Sequence, residues 1–186
     1  MEFYLTYRGS LKANGKPKEK QSIRRVFHKQ LKKLSRQPPL NEFGISKLFL
    51  THDKRKNIPI TQVGRFKFAS LVSERLHLIA ELDITLLRPE LPGSIVTKGG
   101  DIDNRLKTLL DSLKVPKEAG EIPSNDLPKR GENPFFCLME DDKLITRLNV
   151  ETGQLLTRYM RDSFVNLLIH VKIKATELTT DNFGLA

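Results

Sequence analysis

The chain is poor in the residues that build covalent or metal cross-links. Cys137 is the only cysteine among 186 residues, and tryptophan is absent. A lone thiol excludes an internal disulfide and a cysteine-built zinc site; within Phe-Phe-Cys-Leu-Met it reads as core packing. The four histidines (28, 52, 77 and 170) show no His-x-x-x-His or His-Glu pairing, and His170 reads as a strand residue on an exposed face. There is no Walker A sequence, which argues against a nucleotide-driven motor. Long apolar runs are missing as well. The longest, 164–171, is interrupted by Asn166 and His170, and no signal-peptide pattern is seen. A soluble, cytoplasmic protein with no membrane segment is expected.

Acid is the scarcer charge. Thirty-two Lys and Arg face 22 Asp and Glu, a formal +10, which points to a polyanionic partner. Residues 12–36 hold ten bases and one acid, Glu19, and so carry +9 of that excess. Arg24, Arg25, Lys29, Lys32 and Lys33 are the candidate DNA contacts in this stretch. Lys54-Arg55-Lys56 forms a second basic knot.

Hydrophobic periodicity gives the coarse organisation. Residues 3–7 read as a strand, and Ile23, Val26, Phe27, Leu31 and Leu34 mark a helix ending before Pro38-Pro39. Phe66 and Phe68 lie at strand spacing and read as core. Leu78, Ala80, Leu82, Ile84 and Leu86 alternate most cleanly, and 143–150 and 165–173 follow as a hairpin. The tail from Thr176 is polar and expected to fray. A single α+β domain over 1–186 follows, a mixed β-sheet packed with helices. Its core spans roughly 60–176, with a basic strand and helix at 1–37 and a long loop at 114–134.

The chemistry concentrates at Gly99-Gly100-Asp101-Ile102-Asp103-Asn104-Arg105-Leu106-Lys107. Apolar residues at 102, 106, 109, 110 and 113 predict an amphipathic helix with Asp101 as its N-cap. Asp103 and Lys107 then sit one turn apart beside the apolar stripe. An Asp-x-Asp alone is more often helix-dipole decoration. Glu140-Asp141-Asp142 follows the apolar run 135–139 and supplies the third carboxylate that a divalent-metal site draws from another element. Asn104 is placed to hold an aspartate in position. An EF-hand is excluded because Leu106 stands where that loop needs glycine.

Asp-x-Asp-Asn-x-x-Lys opening a helix, a further acid at Asp111, then an apolar run and Asp-Asp, resembles the RusA-type Holliday-junction resolvases. The resemblance covers roughly residues 60–176 and implies a RusA-like fold. It further implies a dimeric, magnesium-dependent endonuclease that cuts four-way DNA junctions in recombination and repair, with Mn²⁺ as a substitute metal. It places the metal ligands on Asp101, Asp103 and Asp142, an essential lysine on Lys107, and supporting acids on Asp111 and Asp141. The chain departs from the pattern in its overall length and in the four-proline segment 114–134. The alternatives are a non-catalytic nucleic-acid-binding protein and a flap or fork nuclease of the same fold.

Overall fold

The computed structural model describes residues 1–41, 60–90, 102–156, 163–179, 181–182 and 185. Asp101 and Lys54-Arg55-Lys56 lie outside these residues. The described chain forms β1 (Glu2–Ser10), α1 (Pro17–Leu34), β2 (Ile60–Val63), β3 (Phe66–Val72), β4 (Leu78–Arg88), α2 (Ile102–Leu113), β5 (Phe135–Met139), β6 (Ile145–Gln154) and β7 (Phe164–Ala175). This is one α+β domain, but its strands divide between two sheets.

The larger sheet has the order β1-β7-β4-β6, and the smaller the order β2-β3-β5. Five residues separate β3 from β4, yet they form no hairpin. The Ser73 hydroxyl accepts from Leu76 N–H in a short 3₁₀ turn, and His77 adopts a left-handed φ of 51°. That corner carries the chain out of one sheet and into the other. The expected hairpin of 143–150 with 165–173 is also absent. Both strands form, but β4 lies between them, antiparallel to β7 and parallel to β6.

Alternation explains the larger sheet: Leu78, Ala80, Leu82, Ile84 and Leu86 of β4 are all buried, as are Val165, Leu167, Ile169, Val171 and Ile173 of β7. The outer face holds a charge ladder in which Arg147 pairs with Asp83 at 2.8 Å and His170 meets Glu2 at 3.0 Å while stacking on Tyr4. By contrast β5 is buried on both faces, which is why its run is continuously apolar. One side of β3 and β5 joins the main core through Ala69, Leu71, Phe136 and Leu138. The other side forms a second, smaller core of Phe66, Phe68, Phe135 and Cys137, and Val115 and Ile122 close it. Cys137 is thus core, and burial pushes its thiol up to about 12.

The segment 114–134 folds back on its own chain, because its apolar residues cover the small sheet and its acids hold α1. The tail does not fray where it is described: the buried Asn182 amide donates to the carbonyls of Leu76 and Glu177, and Leu185 is fully buried. Nor does the core begin at residue 60, since β1 pairs with β7 along its whole length.

The α1 helix contributes a buried histidine. His28 is 3% exposed, and its Nδ1 accepts from Phe136 N–H at 2.8 Å. Burial pulls its pKa below the ordinary 6.5, with Lys32 and Arg25 pulling the same way and Glu132 and the Gly131 carbonyl opposing. The folded state therefore holds this imidazole neutral, whereas the unfolded chain takes up a proton below about pH 6.5. The stability it contributes is present above that pH and is lost as pH falls, by at most about 1.4 kcal/mol per unit. Urea unfolding at pH 7.5 and 5.5 measures this. His28→Gln should flatten the dependence over that interval, and an unchanged slope would refute the assignment.

Candidate functional site

The α2 helix carries Asp103, Arg105, Lys107 and Asp111, and α1 sets its position. After β1 the chain approaches α2 closely: Gly15 N–H donates to Thr108 Oγ1 at 2.8 Å. A Cβ on Gly15 would lie 2.5 Å from Thr108 Cγ2, so a side chain there would force the loop off the helix. Arg105, 3% exposed, reaches back to donate to the Leu11 carbonyl.

The other end of α2 is held by a buried arginine. Arg24 is 0% exposed; it donates to the Asp111 carbonyl at 2.7 Å, to the Lys114 carbonyl at 3.4 Å and to Gln21 Oε1 at 2.6 Å. A helix leaves its last carbonyls without intrahelical donors, and a cation there also complements the dipole. The expected DNA contact at Arg24 is therefore corrected to a helix cap. Arg25 is likewise committed internally. Its guanidinium bonds Glu132 and Asp126, each at 2.9 Å, and so ties 114–134 to α1. Lys32 donates to the Gly131 carbonyl. Of the five basic residues singled out, Lys29 and Lys33 remain exposed with no ion-pair partner among the described residues.

The buried face of α2 contains Arg105, Thr108, Leu109, Ser112 and Leu113. It is rotated from the apolar stripe because α1 and the 11–15 loop satisfy its polar members. Asp103 and Lys107, expected beside that stripe, are consequently exposed. Neither has an ion-pair partner among the described residues. Asn104 is half-buried, and its carbonyl accepts from Asn14 N–H at 3.4 Å.

The remaining acids gather at the helix's far end. Asp111 bonds Lys20 at 2.7 Å and Lys114 at 3.2 Å, and Lys114 also bonds Asp142 at 2.9 Å. Burial raises the Asp111 carboxyl, but the two lysines outweigh it and hold its pKa below the usual range. Lys114 is pulled down by burial and, more strongly, up by Asp142 and Asp111. Asp141 accepts from Lys143 N–H and pairs with Lys117, holding its carboxyl at about 2, with the amide the larger cause. The sequence counts Lys20 among the bases of 12–36 but assigns neither it nor Lys114 to the acids. The only hint was that Lys114 follows Asp111 by three residues, at helical contact spacing.

Asp103 and Asp111 are eight residues apart, about 12 Å along the axis. Carboxylates sharing one Mg²⁺ at about 2.1 Å must have oxygens within roughly 4 Å of each other. Within one chain, then, Asp142 joins Asp111 rather than Asp103. No family model, curated protein or solved structure matches the chain. Among the described residues no three His, Cys, Asp or Glu side chains group to hold a metal ion. Among the described residues the Asp103 carboxylate has no lysine partner, whereas Asp142 and Asp111 each carry one.

Proposed function

We propose that the chain is a Mg²⁺-dependent endodeoxyribonuclease acting on branched DNA, of the Holliday-junction-resolving kind. The observation that carries this reading is the contrast between the surroundings of the two ends of α2. Asp111, Asp141 and Asp142 are each neutralised by lysine, whereas Asp103 and Lys107 stand exposed and one turn apart at the helix N-terminus. Asp101 and Asp103 would hold the metal; two carboxylates suffice when water and substrate phosphate complete the shell. Bound Mg²⁺ supplies charge neutralisation and a more acidic water. Lys107 sets an ammonium against the scissile phosphate, and Asn104 orients the Asp103 side of the turn. Asp142 keeps Lys114 charged in place at the end of the helix.

A synthetic four-way junction tests this directly. Nicking of the junction with Mg²⁺, abolished by EDTA and absent on linear duplex, is the expected result. Cleavage confined to flaps or forks would support the related nuclease. Tight junction binding without cleavage would support the second reading, a non-catalytic DNA-binding protein, which the lysine pairing of three of the motif's acids favours.

The exposed Lys29 and Lys33 lie one turn apart on α1 and would meet the phosphate backbone. Reversing both to Glu should lower the log–log salt slope of junction binding by about 1.8, at roughly 0.9 per contact. An unchanged slope would turn this face away from DNA.

A homodimer suits a substrate with two symmetry-related strands to cut. The edge of β6, unpaired among the described residues and with Leu148 41% exposed, is the candidate contact. Sedimentation at micromolar concentration should give twice the chain mass, and a monomer both free and on DNA would exclude paired cutting.

A further inference from the structure

A cavity of about 520 Å³ opens between the N-terminal half of α1 and residues 123–129. Its lining includes Lys18, Gln21, Ser22, Arg25, Asp126 and Lys129. Asp126, the acid in that lining, is bound by Arg25, which also binds Glu132. Lys18 and Lys129 are exposed and have no ion-pair partner among the described residues, so the cavity's uncompensated charge is positive.

The wall also holds two unmet hydrogen-bonding groups. Gln21 is 1% exposed, and its Oε1 accepts from Arg24, which fixes the orientation of the amide. Its Nε2 is buried without an acceptor. Asp126 gives Oδ1 to Arg25, while its Oδ2 is buried without a donor. A buried donor or acceptor left unmade is unfavourable, and a ligand with matching groups relieves that.

We propose that this cavity binds a single nucleotide unit, its phosphate between Lys18 and Lys129 and its base edge against Gln21 and Asp126. The volume falls in the range of small-molecule sites. Every base carries a donor beside an acceptor on its edge, so one amide and one carboxylate recognise a nucleotide without choosing a sequence. On α1, Lys18 lies within about 60° of Lys29 and Lys33 at 100° per residue. A strand following that face would pass the cavity mouth. The nucleotide is either an unpaired one at a DNA branch, which rests on the DNA reading above, or a free mononucleotide, which does not. Only an unstacked base presents the edge this site reads.

Titrating the full chain with deoxyadenosine 5′-monophosphate under ¹⁵N NMR tests the site, with inorganic phosphate as the parallel probe. The nucleotide should shift the Gln21 side-chain amide and the 123–129 backbone, and phosphate alone should leave the Gln21 amide unmoved. Lys18→Glu with Lys129→Glu should weaken nucleotide binding at least tenfold, and Lys29→Glu with Lys33→Glu, an equal change in charge, should not. Shifts spread evenly along α1, or equal weakening by both double variants, would overturn the proposal. A junction carrying 2-aminopurine at its branch then separates the sources. A fluorescence rise on binding, lost in the Lys18/Lys129 variant, assigns the cavity to the DNA; no rise, with mononucleotide binding retained, assigns it to a free nucleotide. Loss of nucleotide binding leaves the Asp103 chemistry standing, and failure of cleavage leaves the NMR result standing.

Discussion

Asp103→Asn is expected to abolish Mg²⁺-dependent junction cleavage while leaving junction binding intact or tighter. Changes one shell out from a metal cost 10–100-fold, so replacing a ligand should cost at least about 100-fold. Binding is spared because the variant removes a negative charge facing phosphate, and Asp103 is exposed with no partner to orphan among the described residues. Cleavage within tenfold of wild type at saturating Mg²⁺ would sink the metal assignment. Asp142→Asn is the informative comparison. In this chain Asp142 binds Lys114 at 2.9 Å, so its loss should leave most of the activity. A loss equal to that of Asp103→Asn would require Asp142 to reach the metal from a second protomer.

Arg24→Ala should be among the most destabilising side-chain truncations in α1. It removes the donors for two carbonyls at the end of α2 and for Gln21, and it leaves a cavity where a fully buried side chain stood. Orphaned buried acceptors and the void together amount to roughly 3–5 kcal/mol. Natural domains have about 5–15 kcal/mol in total, so the variant should melt roughly 10 °C or more below wild type. Arg24→Lys should recover only part, since an ammonium cannot span three acceptors in the guanidinium's plane. A loss below about 1 kcal/mol in urea unfolding would show that the cap is dispensable. Junction affinity, measured where the variant is folded, should be nearly unchanged, which separates a helix cap from a DNA contact.

The elements legible in the sequence were those whose burial is one-sided and local. Leu78 to Leu86 alternate because β4 has one core face, and the helix from Ile102 shows its apolar spacing plainly. The second sheet was less legible. Ile60–Val63 offers four residues with mixed exposure, and a strand buried on both faces, such as β5, shows no period to read. The basic run at 12–36 misled most: charge counts cannot distinguish Arg24, satisfied by carbonyls some ninety residues away, from Lys29 in solvent. The motif acids were found as residues but not as a geometry. The 3.6-residue repeat separates Asp103 from Asp111, and only the tertiary placement of Asp142 decides which of them it joins.

The pairing of β1 with β7 sets a condition on how the chain can be made. Glu2 registers with Lys172 and Ser10 with Phe164, so a strand near the start finds its partner only when the last strand has left the ribosome. β4 shares that wait, because β7 is its antiparallel neighbour too. Until then, of the described strands of that sheet, β4 and β6 alone can pair, with apolar faces uncovered and edges open to other chains. Contacts that close so much intervening chain make folding slow. Expression at lower temperature or with a holdase present should therefore raise soluble yield more than any substitution in the loops.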